Sequence, residues 1–416
     1  DMKLWEYLKE KMAPYAERIA FAGSRTTYGK LLSFEKGKKG KGRLTMCGGK
    51  TKEERAMRIL KCLARGETAV LWKKEQEDMF FEKVKRGGQV CGEAAFLTFD
   101  ESDSLKENAL TDEKILCQLE GISSYFDVKG LKSIAIAGEP TDPAVLTGEF
   151  LYALLNGLTI YFYEGPVLPQ RLARFLKENG IEVFCGTPTL YLALKRCVSE
   201  KYFPVKAAVI GGERLTKNAA LSIAESFSRT DFYGVYGPTE HGFQASVLLP
   251  EDFAERAGSI GKPVGRTKMR IQEGEIQIKS PVAAGERARG KEKLCRGWLH
   301  TGIAGHTDAE GYYYPDGEYP DGREEKIVRA GFNIFPAEIE RVLRTFPGIE
   351  DCRVFGIDDE LYGQRICVRI KGSVTLPELR RYAAEKLPPY LVPHEYRLNG
   401  RFEDDFEERP KRGGRE

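Results

Sequence analysis

Between residues 134 and 212 the chain alternates between two kinds of hydrophobic pattern, and this limits the fold more than any other feature. Ile134-Ala135-Ile136-Ala137, Leu158-Thr159-Ile160-Tyr161-Phe162, Ile181-Glu182-Val183-Phe184 and Ala207-Ala208-Val209-Ile210 are short apolar runs that read as buried strands. Residues 148–155 and 170–178 carry helical spacing instead, and Asn179-Gly180 stops the second. Strand and helix in alternation predict an α/β protein with a parallel sheet covered by helices.

The stretch Asp231-Phe-Tyr-Gly-Val-Tyr-Gly-Pro-Thr-Glu-His-Gly242 ends an aromatic, strand-like run at Tyr236-Gly237-Pro238, and Thr239 and Glu240 follow at once. Gly and Pro make the turn, and a strand ending this way presents its last side chains at a sheet edge, where ligands of open α/β sheets sit. A hydroxyl beside a carboxylate suits a nucleotide phosphate and its Mg²⁺. An ordinary polar turn after a buried strand is the plain alternative.

Upstream, residues 4–12 pattern as an amphipathic helix, 51–64 as a helix and 68–72 and 94–99 as strands. Residues 35–43 form a basic low-complexity loop, and Asp100-Glu101-Ser102-Asp103 a strongly acidic one. After Gly242, residues 268–271 and 274–279 alternate as strands of a barrel-like subdomain. Residues 315–323 are the richest Pro/Gly/Asp stretch and are read as a linker. A small α+β unit follows, with a helix from Pro336 to Leu343, strands over 352–357 and 366–370, and a helix over 376–387. The expected domains are 1–320 and 321–416, with a highly charged tail from Arg401.

With 416 residues the chain has room for two or three domains, and 41% apolar with 31% charged residues describes a globular protein. A net charge of +3 gives no argument for nucleic acid or an anionic membrane. No apolar run reaches membrane-spanning length, and the N-terminus lacks the apolar core of a signal peptide, so a cytoplasmic location is expected. Nine cysteines are scattered singly, which reads as reduced thiols. His300 and His306 form the only near histidine pair and are assigned to a solvated loop. There is no GxxxxGK[ST] phosphate loop.

An ordered set of segments resembles the superfamily of adenylate-forming enzymes: acyl- and aryl-CoA synthetases, adenylation domains and luciferases. The resemblance runs from Thr27-Tyr28-Gly29 to about Pro393 and is strongest from residue 181. Thr187-Pro188-Thr189-Leu190, Ile210-Gly211-Gly212-Glu213-Arg214-Leu215, Tyr236-Gly237-Pro238-Thr239-Glu240 and Gly258-Ser259-Ile260-Gly261-Lys262-Pro263 carry it first. Gly274-Glu275-Ile276, Gly297-Trp298-Leu299-His300-Thr301-Gly302, Asp308-Ala309-Glu310-Gly311-Tyr312, Gly331 to Glu340 and Tyr362-Gly363-Gln364 follow in family order. The resemblance implies a large N-terminal domain of parallel or mixed sheets covered by helices, a small mobile C-terminal domain and the reaction of a small-molecule carboxylic acid with ATP to an acyl-adenylate. Transfer to the thiol of CoA or of phosphopantetheine on an acyl carrier protein follows. It implies that Tyr236 stacks on adenine while Gly211, Gly212 and Glu213 line the base beside Gly237. Thr239 would hold a phosphate oxygen, Glu240 would bind Mg²⁺, and Arg323 would contact the ribose.

Departures from the family pattern fall on catalytic loops. The Gly-rich phosphate loop is replaced by Phe99-Asp100-Glu101-Ser102-Asp103-Ser104-Leu105-Lys106, whose acids would repel a triphosphate. Thr-Gly-Asp reads Thr301-Gly302-Ile303, and isoleucine accepts no hydrogen bond. In place of the C-terminal adenylation lysine, Arg415 and Lys411 are the candidates, and arginine does not reproduce a lysine's point charge. Two readings follow: a working ligase, or a catalytically impaired relative that binds nucleotide or acyl groups or acts as a scaffold. Tyr191, Tyr233 and Phe243 fit either a pocket for an aryl or alkyl acid or core packing.

Overall fold

A computed structural model of the chain describes residues 3–34, 44–71, 95–99, 107–198, 203–237, 244–282, 294–295, 297–318, 327–329, 332–334, 336–359 and 363–398. The basic loop at 35–43 and the acidic loop at 100–106, with Lys106, lie outside these residues. Two compact units divide the chain, Asp1–Tyr319 and Pro320–Glu416.

A nine-stranded sheet organises the first unit. Its order is Lys262–Pro263, Ser246–Leu248, Asp231–Tyr236, Ala207–Ile210, Val183–Phe184, Ser133–Ile136, Thr159–Phe162, Ile19–Phe21 and Thr26–Thr27. The strands from Asp231–Tyr236 through Ile19–Phe21 run parallel, as the alternating pattern requires. The strands beyond them at either edge pair antiparallel. All four residues of Ser133–Ile136 and of Ala207–Ile210 are buried, as expected of strands covered on both faces.

The order of crossovers sets where a ligand can enter. From Ser133–Ile136 the chain passes to Thr159–Phe162 on one side, then returns to Val183–Phe184 on the other and moves outward through Ala207–Ile210 and Asp231–Tyr236. The adjacent strands Ser133–Ile136 and Val183–Phe184 therefore send their chains in opposite directions, and a crevice opens outside their carboxyl ends. The segment leaving Ser133–Ile136 is not a plain helix. Pro143–Val145 is capped by Asp142, Leu146–Leu151 is π-helical and Tyr152–Leu155 is α-helical.

A four-stranded sheet, Leu44–Met46, Thr68–Val70, Phe96–Phe99 and Glu107–Leu110, is parallel except for its last strand. The helix Lys52–Arg65 joins its first two strands. The Thr51 hydroxyl accepts from Glu54 N–H at one end and Gly66, at φ +67°, closes the other. It buries Ala56, Ile59, Leu60 and Leu63. This packing brings the thiols of Cys47 and Cys62 to 3.5 Å, a proximity that their scattered positions in the sequence do not reveal.

The barrel-like subdomain is a five-stranded antiparallel sheet of Lys268–Gln272, Glu275–Lys279, Leu294–Cys295, Trp298–Thr307 and Tyr313–Glu318. The last strand corrects the linker expected from residue 315. Pro315 and Gly317 pair with Gly305 and Ala304 across a register shift. Proline lacks the amide a central strand must donate, but an edge strand tolerates it. His300 and His306 lie on Trp298–Thr307 rather than in a solvated loop.

In the second unit Ile349–Asp359, Gly363–Gly372 and Glu395–Leu398 form a three-stranded sheet. Helices Pro336–Leu343 and Leu376–Lys386 contribute Ile339, Leu343, Leu379 and Ala383 to a core with Val354, Val368 and Ile370. Ile327–Arg329 and Phe332–Ile334 form a separate hairpin. The architecture is α/β: a large N-terminal part of mixed sheet, a half-barrel sheet and a small C-terminal α+β unit. Among the described residues no helix is long and apolar enough to cross a membrane.

Candidate functional site

The parallel strands bring two groups of residues to one edge of the main sheet, and a third group lies in the half-barrel. The first group surrounds Gly211 and Gly212. Ala207–Ile210 and Asp231–Tyr236 run in register, with Ile210 opposite Gly234, so the chain leaving Ile210 passes beside Val235 and Tyr236. A Cβ on Gly211 would lie 2.6 Å from Val235 Cγ2, so no larger residue fits there without a shift. Gly212 turns the chain at φ +81°.

Glu213 then points back toward the neighbouring crossover. Its Oε2 accepts the Thr189 N–H at 3.1 Å, and Thr187 caps the helix Pro188–Leu194 by accepting from Leu190 N–H. Glu213 Oε1 is enclosed and has no hydrogen-bond partner among the described residues. Burial raises the Glu213 pKa, against hydrogen bonds from Thr189 and Thr187 that lower it. Glu213 is thus held under the glycine turn that leaves Ile210, and the half-buried Tyr236 at the end of the neighbouring strand packs against the half-barrel core. A planar base carrying an amino group fits such a cradle.

The second group lies in the crevice between Ser133–Ile136 and Val183–Phe184. Cys185 follows directly on the latter strand, and Glu149 projects from the π-helical turn that follows the former. Glu149, Cys185 and Tyr125 are closely surrounded by protein, and each keeps part of its surface accessible. Burial pushes Glu149 up to about 8, with Asp142 adding to the rise and Lys52 opposing it. Burial likewise raises the Cys185 thiol and the Tyr125 phenol.

Neighbouring polar groups are already engaged. The Lys52 ammonium donates to the carbonyls of Ala137 and Tyr163, the latter at 2.7 Å, and so ties together two strand ends. Asp142 accepts from Ala144 and Val145 N–H groups at 2.9 and 3.4 Å. Tyr125 donates to the side-chain Oε1 of Gln244, and Gln244 Nε2 lies 3.3 Å from where a Cβ on Gly148 would stand. Glu149 Oε2 is enclosed and without a partner among the described residues.

The third group belongs to the half-barrel. Glu275 Oε2 is 2.7 Å from His300 Nδ1, and Glu275 Oε1 accepts the Gly302 N–H at 2.7 Å. Gln277 joins His300 at 3.2 Å and accepts from Arg270 through Oε1. This buried carboxylate holds the backbone of Thr301-Gly302-Ile303 in shape, with Gly302 at φ +71°. Ile303 packs against the half-barrel core.

Of the residues expected from sequence, the structure brings Gly211, Gly212, Glu213, Tyr236 and Gly237 to one edge of the sheet. Thr239, Glu240, Arg323, Lys411 and Arg415 lie outside the described residues, as do His241 and Phe243. Tyr191 is core: it is fully buried against Phe184, Phe203, Phe227 and Phe232, and its hydroxyl donates to Phe184 O. Tyr233 is buried against Tyr125 and Phe126. Sequence reasoning missed Glu149, Cys185 and Lys52; the signal available was a carboxylate at Glu149 between apolar residues of a buried helix. Among the described residues no group of three or more His, Cys, Asp or Glu could hold a metal ion.

A largely parallel sheet whose chain reverses direction between Ser133–Ile136 and Val183–Phe184, a glycine turn at Gly212 and a half-barrel sheet define an open α/β class. Residues 110–296 match the family model of the AMP-binding enzyme, and residues 338–403 that of the AMP-binding enzyme C-terminal domain. The chain belongs to the adenylate-forming superfamily. It is 32% identical over 236 residues to a 2-succinylbenzoate–CoA ligase of Bacillus cereus, covering 52% of this chain and 48% of that protein. The chain thus spans about half the length of the curated relatives it matches.

Two solved structures of o-succinylbenzoate CoA synthetase from Bacillus subtilis share the fold. A double mutant bound with a product analogue superposes with a TM-score of 0.76 at 19% identity, covering 96% of this chain and 95% of that one. The complex with ATP and magnesium ion gives 0.63 at 18% identity, covering 95% and 96%.

Proposed function

We propose that the chain activates a carboxylic acid with ATP and passes the acyl group to the thiol of CoA. A carboxylate oxygen attacks the α-phosphorus, the bond to the leaving pyrophosphate breaks, and an acyl-adenylate results. The thiol then attacks the acyl carbon, AMP departs with the bonding electrons, and the thiol proton passes to solvent. The carboxylate becomes a useful electrophile only once its oxygen is part of a good leaving group, so catalysis is mainly positioning and charge neutralisation. The observation that carries this reading is the cradle at Gly211, Gly212 and Glu213 on the same sheet edge as the Glu149–Cys185 cleft. One can receive the base and the other the acyl chain. The names of the relatives support it, since the matched curated proteins are CoA ligases.

In this proposal Glu213 accepts from the base amino group, Tyr236 stacks on the ring, and Thr239 holds a phosphate oxygen. Magnesium, held by Glu240 and phosphate oxygens, would neutralise charge on the triphosphate. Arg323 contacts the ribose, and Lys411 or Arg415 supplies a cation from residues 321–416, which act as the mobile domain. ATP–pyrophosphate exchange over a panel of carboxylic acids tests this, with Glu240→Gln as control. Exchange that disappears in the variant supports the ligase. Acyl transfer to CoA but not to a phosphopantetheinyl carrier then identifies the acceptor, and the reverse would make it a carrier protein.

The apolar setting of Ile303, where the family carries the ribose-gripping carboxylate, favours a second reading: a binding protein that retains the fold. Nucleotide binding without exchange for any acid would select it.

A further inference from the structure

Independently of the acid-activation reading, we propose that Cys47 and Cys62 form a dithiol–disulfide couple whose oxidised state clamps the helix Lys52–Arg65 to the end of the strand Leu44–Met46. Seven described cysteines are free thiols. The sulfurs of these two lie 3.5 Å apart, in contact, although the residues are 15 apart in sequence. A disulfide bond is about 2.05 Å long, so an approach of about 1.5 Å closes it.

The fold holds both sulfurs in place before any bond forms. Cys47 follows directly on its strand, and its N–H donates to Val70 O at 3.2 Å. Three hydrogen bonds close the turn that leads from it into the helix. Lys50 N–H donates to Glu54 Oε2 at 2.8 Å, Glu54 N–H to the Thr51 hydroxyl at 3.1 Å, and Arg55 Nη1 to Gly49 O at 2.6 Å. Cys62 is buried on the helix with Ile59, Leu60 and Leu63. Folding has thus already closed the loop between the two thiols, and a bond that locks this loop restricts the unfolded chain and favours the folded one.

The two thiols are not equivalent. The hydrogen bond between them lowers the pKa of Cys62 and raises that of Cys47; burial opposes the first shift and adds to the second. Glu67 also opposes the Cys62 thiolate, while Arg65 favours it. Cys62 is therefore the sulfur that an oxidant meets first, since the thiolate is the nucleophile. Both thiols are buried, so an oxidant reaches them through local opening, which favours a small hydroperoxide. With hydrogen peroxide the Cys62 thiolate attacks one oxygen, the O–O bond breaks and hydroxide leaves, giving a sulfenic acid. The Cys47 sulfur then attacks the Cys62 sulfur, hydroxide departs, and the Cys47 proton makes it water. Two thiols lose two electrons, and one peroxide becomes two waters.

The clamped helix also braces the switch point of the main sheet. Lys52 donates through its ammonium to Ala137 O and Tyr163 O, and through its N–H to Glu164 Oε1 at 2.7 Å. Arg55 pairs with Glu139 at 2.9 Å. Oxidation of the thiol pair therefore tightens the mount of the element that ties the ends of Ser133–Ile136 and Thr159–Phe162.

The full chain is exposed to hydrogen peroxide without denaturant, its free thiols are blocked, and it is digested without reductant beside a dithiothreitol-treated sample. Mass spectrometry is expected to find the peptides carrying Cys47 and Cys62 joined. The melting temperature of the oxidised chain should rise by about 4 °C, as a closed loop of this length allows, and fall back on reduction. Cys47→Ala and Cys62→Ala should each abolish the rise, whereas Cys117→Ala should keep it. Both thiols still free after peroxide, a bond from either to a different cysteine, or Cys62 carried on to sulfinic acid beside an unreacted Cys47 would overturn the couple. A joined pair with an unmoved melt would overturn the clamp. The joined peptides are read in the wild-type chain, so the outcome stands even where a variant fails to fold.

Discussion

Glu149 couples the cleft to the stability of the fold. Its carboxyl titrates at about 8 in the folded chain against 4.5 for an unperturbed glutamate, so the native state binds more protons than the unfolded state between these values. Folding stability then falls as pH rises through this window. The contribution is complete below about pH 4.5 and lost above about pH 8. Glu149→Gln removes the ionisation and should flatten the urea-unfolding profile from pH 5 to 8 by most of its slope; an unchanged slope would mean that the group is not buried as described. Glu213 shifts in the same direction, also through burial, but its oxygens have different duties: one ties two loops and the other stays open.

Elements place these residues through close backbone approach. A methyl group on Gly211 would meet Val235 Cγ2 at 2.6 Å and Val235 O at 3.2 Å, so the valine side chain or the strand must shift. Gly211→Ala should therefore cost about 1–3 kcal/mol in denaturant unfolding. It should weaken nucleotide binding more than Thr51→Ala, which removes only the cap of the helix Lys52–Arg65, worth about 1 kcal/mol. Equal effects on binding would argue that the glycine turn is not the nucleotide cradle. The strands and most helices were legible in the sequence because their apolar periods are strong, as in Ala207–Ile210 and Pro336–Leu343. The π-helical turn was not legible, since apolar spacing does not distinguish it from an α-helix. Residues 315–318 read as part of a linker because Pro and Gly usually mark loops, yet they form a strand whose edge position admits them, while the boundary between the two units at Tyr319 and Pro320 falls inside the 315–323 stretch. Gly211, Gly212, Glu213 and Tyr236 were recognisable as a linear motif. Glu149, Lys52 and Cys185 were not, because they come together only through the crossover order of the sheet.

At the scale of the molecule, each unit encloses a core of its own. In the second, Ile339, Leu343, Val354, Val368, Ile370 and Leu379 are all buried within residues 320–416. A fragment of these residues should fold independently, giving dispersed amide resonances and a cooperative melt, whereas collapsed resonances would show that it needs the first unit. The central claim is that base and acyl group share one sheet edge in the first unit. Calorimetric titration with a non-hydrolysable acyl-sulfamoyl adenosine tests it most directly. The account predicts saturable binding that competes with ATP, weakened about tenfold by Tyr236→Ala through lost aromatic contact. Absence of binding, or binding indifferent to Tyr236→Ala, would contradict it.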